Sequence, residues 1–389
     1  MTSAPTKPVD VPPYQVQPLI DTVVESYGIP TVDVKCAQAL GSEIYVGCSN
    51  GELLRFALQA NGPEEPESYS LLSRQSLPND KPVDEIVLAP SISRAFILSD
   101  HQIHFYTLPS LDAVSIKPMR NVVALAVDHQ QLQLSAPPLT DPPLQAEQVE
   151  FCVVKRDSIM LCGLRERLYI EKSIPLRGAF FAKRSGRRLC IADRENYSMV
   201  DLDQAVQTPV MPINQAGDSG GPRIRPVITV IAENEFLILS WNGASTMGLF
   251  ITGDGDPVRG TLEWPSHPIA LCLDYPYITT LLPNQTIEVH NLDTQTIVQV
   301  IPAPPLPLPS ASPTSFLAQE RRTLTISLNG FLVPSQEQSE KLRIKKVKLQ
   351  GRPKFIERVV VQEGLETLEK RMEDLEDNGQ EIEVLPVET

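Results

Sequence analysis

The stretch TLEWPSHPIALCLDYPYITTLLPNQTIEVHNLDTQTIVQVI, residues 261–301, carries the most information about the fold. It consists of short apolar runs separated by turn residues such as Asp274–Tyr277 and Pro283–Asn284. Runs this short, with turn residues between them, favour neighbouring strands of an antiparallel meander. One such meander is one blade of a β-propeller. The runs are Thr261–Trp264, Ile269–Leu273, Ile278–Leu282, Thr286–Leu292 and Thr296–Ile301.

The same pattern extends over most of the chain. Between about residues 16 and 349 it contains some two dozen short strand candidates, and helical periodicity is nearly absent before residue 350. At four strands a blade this number corresponds to six or seven blades. With aromatic residues at 6% and only two Trp, a WD-repeat signature is excluded. The sequence therefore predicts an all-β propeller of about seven irregular blades, with a short C-terminal helical segment.

Three segments are expected along the chain. Residues 1–15 are predicted to be a disordered lead, residues 16–350 the propeller, and residues 351–389 a helical segment with an acidic tail. In the last segment Leu365, Leu368, Met372 and Leu375 form one stripe of an amphipathic helix. Before it, the pattern of Lys341–Leu349 predicts a structural strand with a basic face, which completes the last blade or closes the ring. Lysines of this kind are typical of a guarded edge strand.

Composition limits the classes of function. The net charge of −14 argues against a protein that wraps nucleic acid. No run of about 18 apolar residues is present, and Met1–Pro13 has no apolar signal core, so a cytosolic chain is expected. The six cysteines form no C-x-x-C pair, so we expect no metal and no cofactor. Cys152, Cys162, Cys190 and Cys272 lie in apolar runs and are predicted to be structural thiols.

Two short motifs suggest chemistry that their context does not support. Gly217–Pro222 matches the residues around the nucleophile of chymotrypsin-like proteases, but no histidine before it lies in that family's motif. Asp, Ser and Gly are also preferred in surface loops, so we predict a loop and no enzyme. Gly253–Asp256 resembles a calcium loop, but Val258 stands where a third carboxylate would be needed. A tight turn between strands is favoured there.

One basic turn is a candidate binding site. Lys183, Arg184, Arg187 and Arg188 flank a Ser-Gly pair just before a predicted strand, Arg188–Ala192. The turn is either a solvated hairpin tip or a contact for an anionic partner, such as a phosphoinositide headgroup or an acidic protein surface. We therefore nominate these four residues for partner binding.

The chain also resembles a known family. The residues that carry the resemblance are Pro268 with Tyr275–Tyr277, then Ile287–Leu292, then Val298, Gln299 and Ile301. They are similar to the end of a citron homology (CNH) domain. Within that superfamily, Gly255–Trp264 is most similar to the vacuolar-sorting and TGF-β-receptor-associated family, and Ile44–Leu53 fits its first blade. These motifs are structural and mark no reaction centre.

This resemblance implies a function. It implies a non-enzymatic subunit of a CORVET-type endosomal tethering complex, whose propeller recognises a GTP-bound early-endosomal Rab GTPase and supports vacuolar protein sorting. Other subunits would bind through an α-solenoid that follows the helical segment, beyond the end of this chain. The protein would be cytoplasmic and peripheral to endosomes or vacuole, with contact to anionic membrane. The alternatives are a HOPS-type late-endosomal subunit, and a CNH signalling scaffold that binds a Rho-type GTPase or a kinase.

Overall fold

A computed structural model of the 389-residue chain describes residues 12–20, 32–59, 68–136, 148–216 and 224–303, with the strands 325–327, 330–334 and 344–349. By contacts the chain divides into two units, Tyr14–Lys348 and a second made of Met1–Pro13 with Leu349–Thr389. Everything described below lies in the first unit or in the strand that ends at Leu349. The predicted helical segment 351–389 and the hexapeptide Gly217–Pro222 lie outside the described residues.

Among the described residues the regular secondary structure is almost entirely β-strand. After β1 (Tyr14–Ile20), six four-stranded sheets follow in chain order, with one short 3-10 helix (Pro90–Ile92) and one short helix, α1 (His129–Leu132). Blade 1 comprises β2 (Val34–Leu40), β3 (Glu43–Cys48), β4 (Glu52–Leu58) and β5 (Tyr69–Ser76). Blade 2 comprises β6 (Val83–Ala89), β7 (Arg94–Ser99), β8 (Gln102–Thr107) and β9 (Met119–Arg120). Blade 3 comprises β10 (Ala124–Val127), β11 (Val149–Val154), β12 (Ser158–Leu164) and β13 (Leu168–Pro175). Blade 4 comprises β14 (Phe181–Ser185), β15 (Arg188–Ala192), β16 (Asn196–Asp201) and β17 (Val206–Pro212). Blade 5 comprises β18 (Ile228–Ala232), β19 (Glu235–Trp241), β20 (Thr246–Thr252) and β21 (Leu262–Trp264). Blade 6 comprises β22 (Ala270–Asp274), β23 (Tyr277–Leu281), β24 (Ile287–Asn291) and β25 (Thr296–Ile301).

Each blade is an antiparallel meander in which sequence order equals spatial order. Tight turns make this possible. Between β3 and β4 the chain turns at Asn50–Gly51, where Gly51 adopts a φ of +82° and the Asn50 side chain accepts a hydrogen bond from the Glu52 amide. An added Cβ at Gly51 would lie 3.0 Å from the backbone of Asp80, so only glycine fits without strain. The pairing of the two outer strands shifts register in blades 1, 3, 4 and 6, which is how a β-bulge increases local twist.

The core lies between neighbouring blades. The first strands of adjacent blades contact one another around a centre, as β2 contacts β6, β10 contacts β14, and β14 contacts β18. Blades 2 and 3 share an apolar cluster in which Phe96 packs edge-to-face on Phe105 and Phe151. Similar clusters lie between blades 3 and 4, 4 and 5, and 5 and 6. The predicted all-β propeller is therefore confirmed, with six blades within residues 34–301.

A further four-stranded sheet has the order β1, β28 (Ile344–Leu349), β27 (Gly330–Pro334), β26 (Thr325–Ser327). The sequence predicts Lys341–Leu349 to be a lysine-guarded edge strand, and for the described part, Ile344–Leu349, that prediction is wrong. β1, which comes from the opposite end of the chain, takes the outermost place, so β28 has a neighbour on both sides. The first three residues of the predicted strand, 341–343, lie outside the described residues.

The stretch 261–301 belongs to two blades, and this is a second correction. Leu262–Trp264 is the outermost strand of blade 5, and only the four strands from Ala270 to Ile301 form blade 6. The sequence pattern was correct for each strand, but it contains no mark of where one blade ends. Gly253–Asp256 is a turn after β20, as predicted.

The cysteines behave as predicted for the most part. Cys152, Cys162 and Cys190 are buried free thiols, and Cys272 is half-buried. Burial raises the pKa of Cys152 to about 12 and that of Cys162 to about 11. Thiols with such pKa values stay protonated near neutral pH and pack as small hydrophobic side chains.

Candidate interaction site

The four nominated residues lie on the first hairpin of blade 4. β14 and β15 pair in register, with Ser185 opposite Arg188, and the chain reverses at Gly186–Arg187, where Gly186 has a φ of +56°. This hairpin, residues 183–188, is called the basic hairpin below. β14 is the first strand of its blade, so the hairpin begins next to the centre of the propeller and extends towards blades 3 and 5.

Arg184 is buried, and its side chain is only 1% exposed. Its Nη2 donates a hydrogen bond of 2.7 Å to Glu150 Oε2 of blade 3, and its Nε donates one of 2.7 Å to the Gly186 carbonyl. The amide of Gly186 in turn donates to Asp128 Oδ1, directly after β10 of blade 3. The interpretation of this hairpin as a solvated tip is therefore wrong for Arg184, because the cation is enclosed and fastens blade 4 to blade 3.

Arg187 lies at the surface with its side chain 40% exposed. Its Nε donates to Asp203 Oδ1 at 2.8 Å, and its Nη1 lies 3.4 Å from Glu150 Oε2. Glu171 of blade 3 is a third, more distant carboxylate, at 3.8 Å. The hydrogen bond between Arg187 and Asp203 raises the pKa of the arginine and lowers the pKa of the aspartate.

The remaining two cations point to other blades. Arg188 bridges Asp201 of its own blade at 2.6 Å and Asp254, in the turn after β20 of blade 5, at 2.7 Å. Lys183 Nζ lies 3.7 Å from Glu85 Oε1 of blade 2 and 5.6 Å from the centroid of the Phe181 ring. The basic hairpin is thus connected by charge to blades 2, 3 and 5.

The sequence shows the cations of this site but not the carboxylates that pair with them. Glu85, Glu150 and Asp254 belong to other blades, and no local spacing connects them to the basic hairpin. The order of the blades around the ring brings these three together, whereas Asp203 lies in the turn after β16 of the same blade. Of the four cations, Lys183, Arg187 and Arg188 keep partly exposed side chains that a partner could reach, whereas Arg184 does not.

The basic hairpin also contributes to the central cavity. This cavity has a volume of about 620 Å³ and is lined mainly by apolar residues of the first strands, such as Val87, Leu125 and Leu271. The ion pair between Lys183 and Glu85 belongs to its wall. Within the residues that the structure describes, no group of three or more His, Cys, Asp or Glu side chains could hold a metal ion. No helix among the described residues is long and apolar enough to cross a membrane.

Comparison with solved structures supports the fold. The AfRom2 CNH domain superposes with a TM-score of 0.54 at 15% identity, and the superposition covers 87% of this chain and 100% of that domain. At this identity the similarity shows the fold alone.

Comparison with curated sequences identifies relatives. The chain is 22% identical to vacuolar protein sorting-associated protein 3 of Saccharomyces cerevisiae over 72% of its length, and 23% identical to human transforming growth factor-beta receptor-associated protein 1 over 70%. The matches span 26% and 30% of those proteins. The family model described as the VPS3 N-terminal domain matches residues 30–303, which include all six blades. The chain therefore belongs to the VPS3 N-terminal domain family.

Proposed function

We propose that this chain is a non-enzymatic part of a CORVET-type endosomal tethering complex, and that its propeller recognises a GTP-bound early-endosomal Rab GTPase. The observation that carries the proposal is the family match over residues 30–303, together with relatives named for vacuolar protein sorting. Other subunits of the complex are the further partners. The protein then acts in the cytoplasm, at the surface of endosomes or vacuole.

The architecture suits recognition of a GTPase. A ring of packed sheets holds its loops and strand edges rigidly, and a rigid rim can distinguish a switch surface that is ordered only around the γ-phosphate. Interfaces of standard size bury about 1,600 Å² in total, and we expect a single propeller surface to bury no more than that. We therefore expect an affinity in the micromolar range, about −8 kcal/mol or weaker.

We further propose that the sheet of β26, β27, β28 and β1 is a seventh blade that closes the ring. Its first strand, β26, contacts both β2 of blade 1 and β22 of blade 6. Its outermost strand, β1, brings Tyr14 against blade 6, where the Tyr14 hydroxyl donates to Asp274 Oδ2 at 3.0 Å. In a ring closed by strands from both ends of the chain, every blade has two neighbours.

Within the basic hairpin, Arg187 is the residue we assign to partner contact. Its side chain is 40% exposed, and it reaches the surface near Glu171 of blade 3. Arginine is one of the residue types that contribute most to binding at protein interfaces. Lys183 and Arg188 would assist, and the same cations could meet an anionic membrane.

Isothermal titration calorimetry with Rab GTPases loaded with a GTP analogue or GDP tests the proposal. Binding should be micromolar for one early-endosomal Rab with GTP analogue and at least about tenfold weaker with GDP. Arg187→Ala should weaken it by about 1–2 kcal/mol. Arg177→Ala is the matched control, because Arg177 is 86% exposed and also pairs with a carboxylate.

Other outcomes would favour the alternatives. Preference for a late-endosomal Rab would indicate a HOPS-type subunit, and binding of a Rho-type GTPase or a kinase would indicate a CNH signalling scaffold. Equal affinity for both nucleotide states, or no binding at high micromolar concentration, would remove Rab recognition from this chain.

A further inference from the structure

The outermost strand of blade 6, β25, has an edge without the usual protection. Natural sheets guard exposed edges with charged side chains or proline, which prevent pairing with another strand. β25 has the sequence TIVQVI and contains neither. All other outermost strands of the described sheets contain one or the other: Arg74 in β5, Arg120 in β9, Glu171 and Lys172 in β13, Pro209 and Pro212 in β17, Glu263 in β21, and Pro18 in β1.

Apolar side chains of β25 are also exposed. Ile297 is 51% exposed, Val298 38% and Val300 54%. Ile297 pairs with His290 and Gln299 with Val289, so Val298 is the extra residue of a bulge and leaves the regular ladder. The strand therefore exposes three branched apolar side chains, whereas a solvent-exposed sheet edge usually carries polar ones.

An aromatic side chain extends this surface at one end. Tyr275 is 66% exposed, and its hydroxyl donates to Asp293 Oδ1 at 3.1 Å. Asp293 lies in the turn that leads into β25, and that turn is joined to the Tyr275 turn by a hydrogen bond from the Leu292 amide to the Pro276 carbonyl. Tyr275 is thus held in place beside the start of the strand. An oriented tyrosine next to an apolar strand edge is a typical anchor of a protein interface.

The rest of the strand is held firmly. The Gln299 side chain bonds the backbone of Tyr14 twice, since its Oε1 accepts from the Tyr14 amide at 2.8 Å and its Nε2 donates to the Tyr14 carbonyl at 2.7 Å. The N-terminal strand is therefore engaged by Gln299, and the side chains of Ile297, Val298 and Val300 remain exposed. A rigid edge binds a strand with less loss of conformational entropy than a mobile one.

We propose that β25 is a docking edge, which accepts an extended, β-branched, non-acidic segment of a partner protein as an added strand, with Tyr275 as the anchor at one end. Main-chain hydrogen bonds would supply the affinity, and contacts with Ile297 and Val300 the selectivity. This proposal is independent of Rab recognition, because it concerns blade 6 and no residue of the basic hairpin.

A second copy of this chain fits the edge less well than such a segment. Six residues of strand extend about 20 Å, and one added strand of that length buries well under the ~1,000 Å² that a stable protein pair needs. Two copies with a net charge of −14 each would also repel one another. A short peptide segment requires neither the area nor the charge balance of a dimer.

The test uses the full chain and a fluorescein-labelled peptide of sequence Lys-Thr-Val-Thr-Val-Thr-Val-Lys. Fluorescence anisotropy should rise to saturation, with a Kd below about 1 mM. Hydrogen exchange of the amides in residues 296–301 should slow when the peptide is added. Val298→Lys and Val300→Lys should each raise the Kd at least about tenfold, because a charge at the edge blocks pairing. Val300→Thr, which keeps the β-branch, should retain binding.

Ile170→Lys provides the matched control. Ile170 is 57% exposed on β13, the outermost strand of blade 3, which already contains Glu171 and Lys172. This variant should bind the peptide as the wild type does. No saturation up to about 1 mM, or an equal loss in Ile170→Lys, would overturn the proposal. So would sedimentation that shows a dimer of the wild type which Val300→Lys abolishes, since the edge would then belong to a second copy.

Discussion

Replacing Arg184 by alanine should destabilise the propeller far more than replacing Arg187, although the two residues lie three positions apart on one hairpin. The Arg184 side chain is 1% exposed and that of its partner Glu150 is 27% exposed, so most of this ion pair is removed from water. Removal of one member of a buried pair leaves the other charge uncompensated and costs about 3–5 kcal/mol. Arg184→Ala also removes the hydrogen bond to the Gly186 carbonyl, which is 2.7 Å long.

Two features set the expected value at the lower end of that range. Glu150 keeps a second cation, since Arg187 Nη1 lies 3.4 Å away, and its partial exposure allows water to approach. We therefore expect a loss of about 3 kcal/mol for Arg184→Ala. Arg187→Ala removes exposed ion pairs, and these contribute only about 0–1 kcal/mol.

Urea unfolding followed by tryptophan fluorescence measures both values, since the midpoint falls in proportion to the loss of stability. A double-mutant cycle of Arg184→Ala with Glu150→Ala should show a coupling of at least about 1 kcal/mol, because the residues share one hydrogen bond. If Arg184→Ala unfolded within about 0.5 kcal/mol of the wild type, the pair would not fasten blade 4 to blade 3, and the argument from burial would be refuted.

Three further outcomes are expected. Tyr197→Phe should lower the free energy of unfolding by about 1–3 kcal/mol, because the buried hydroxyl donates to the Leu239 carbonyl at 2.8 Å and accepts from the Val227 amide at 3.0 Å. Tyr275→Phe at the surface should change the urea unfolding midpoint little. Equal effects of the two variants would contradict the role of burial. Burial lowers the pKa of His290 to about 4, so below about pH 6.5 the unfolded chain binds a proton that the folded chain does not bind. The free energy of unfolding should therefore fall by about 2 kcal/mol from pH 7 to pH 5, and thermal melts of His290→Phe should show a smaller fall. An identical pH dependence in that variant would exclude His290 as the group responsible. A maleimide label should modify half-buried Cys272 before buried Cys190 in the native protein, and mass spectrometry that found the reverse order would contradict the assigned burial.

The sequence predicted individual strands better than their grouping. Alternation and turn residues locate Ile44–Cys48 and Thr296–Ile301 to within one residue of the observed strands, because these signals are local. The division between blade 5 and blade 6 was missed, since Trp264 ends one sheet and Ala270 begins the next with a turn like those inside a blade.

Partnerships between distant segments could not be predicted at all. Arg184 looks like a surface cation in a basic turn, and its burial depends on Glu150 and Asp128 of the preceding blade. The outermost position of β1 depends on strands more than 300 residues away. Where an interaction joins residues that are remote in sequence, only the closed arrangement of the sheets determines it.

The position of β1 also has a consequence for biosynthesis. Its neighbour in the sheet is β28, so residues 14–20 leave the ribosome long before residues 344–349 exist. At about 5–20 residues per second, translation of the intervening chain takes on the order of 15–65 s. During that time the six blades can form one after another, while β1 has no β28 to pair with. The newborn chain is thus exposed to wrong pairing at its N-terminal strand for tens of seconds, and this interval, more than the folding of any single blade, is when a chaperone would be needed.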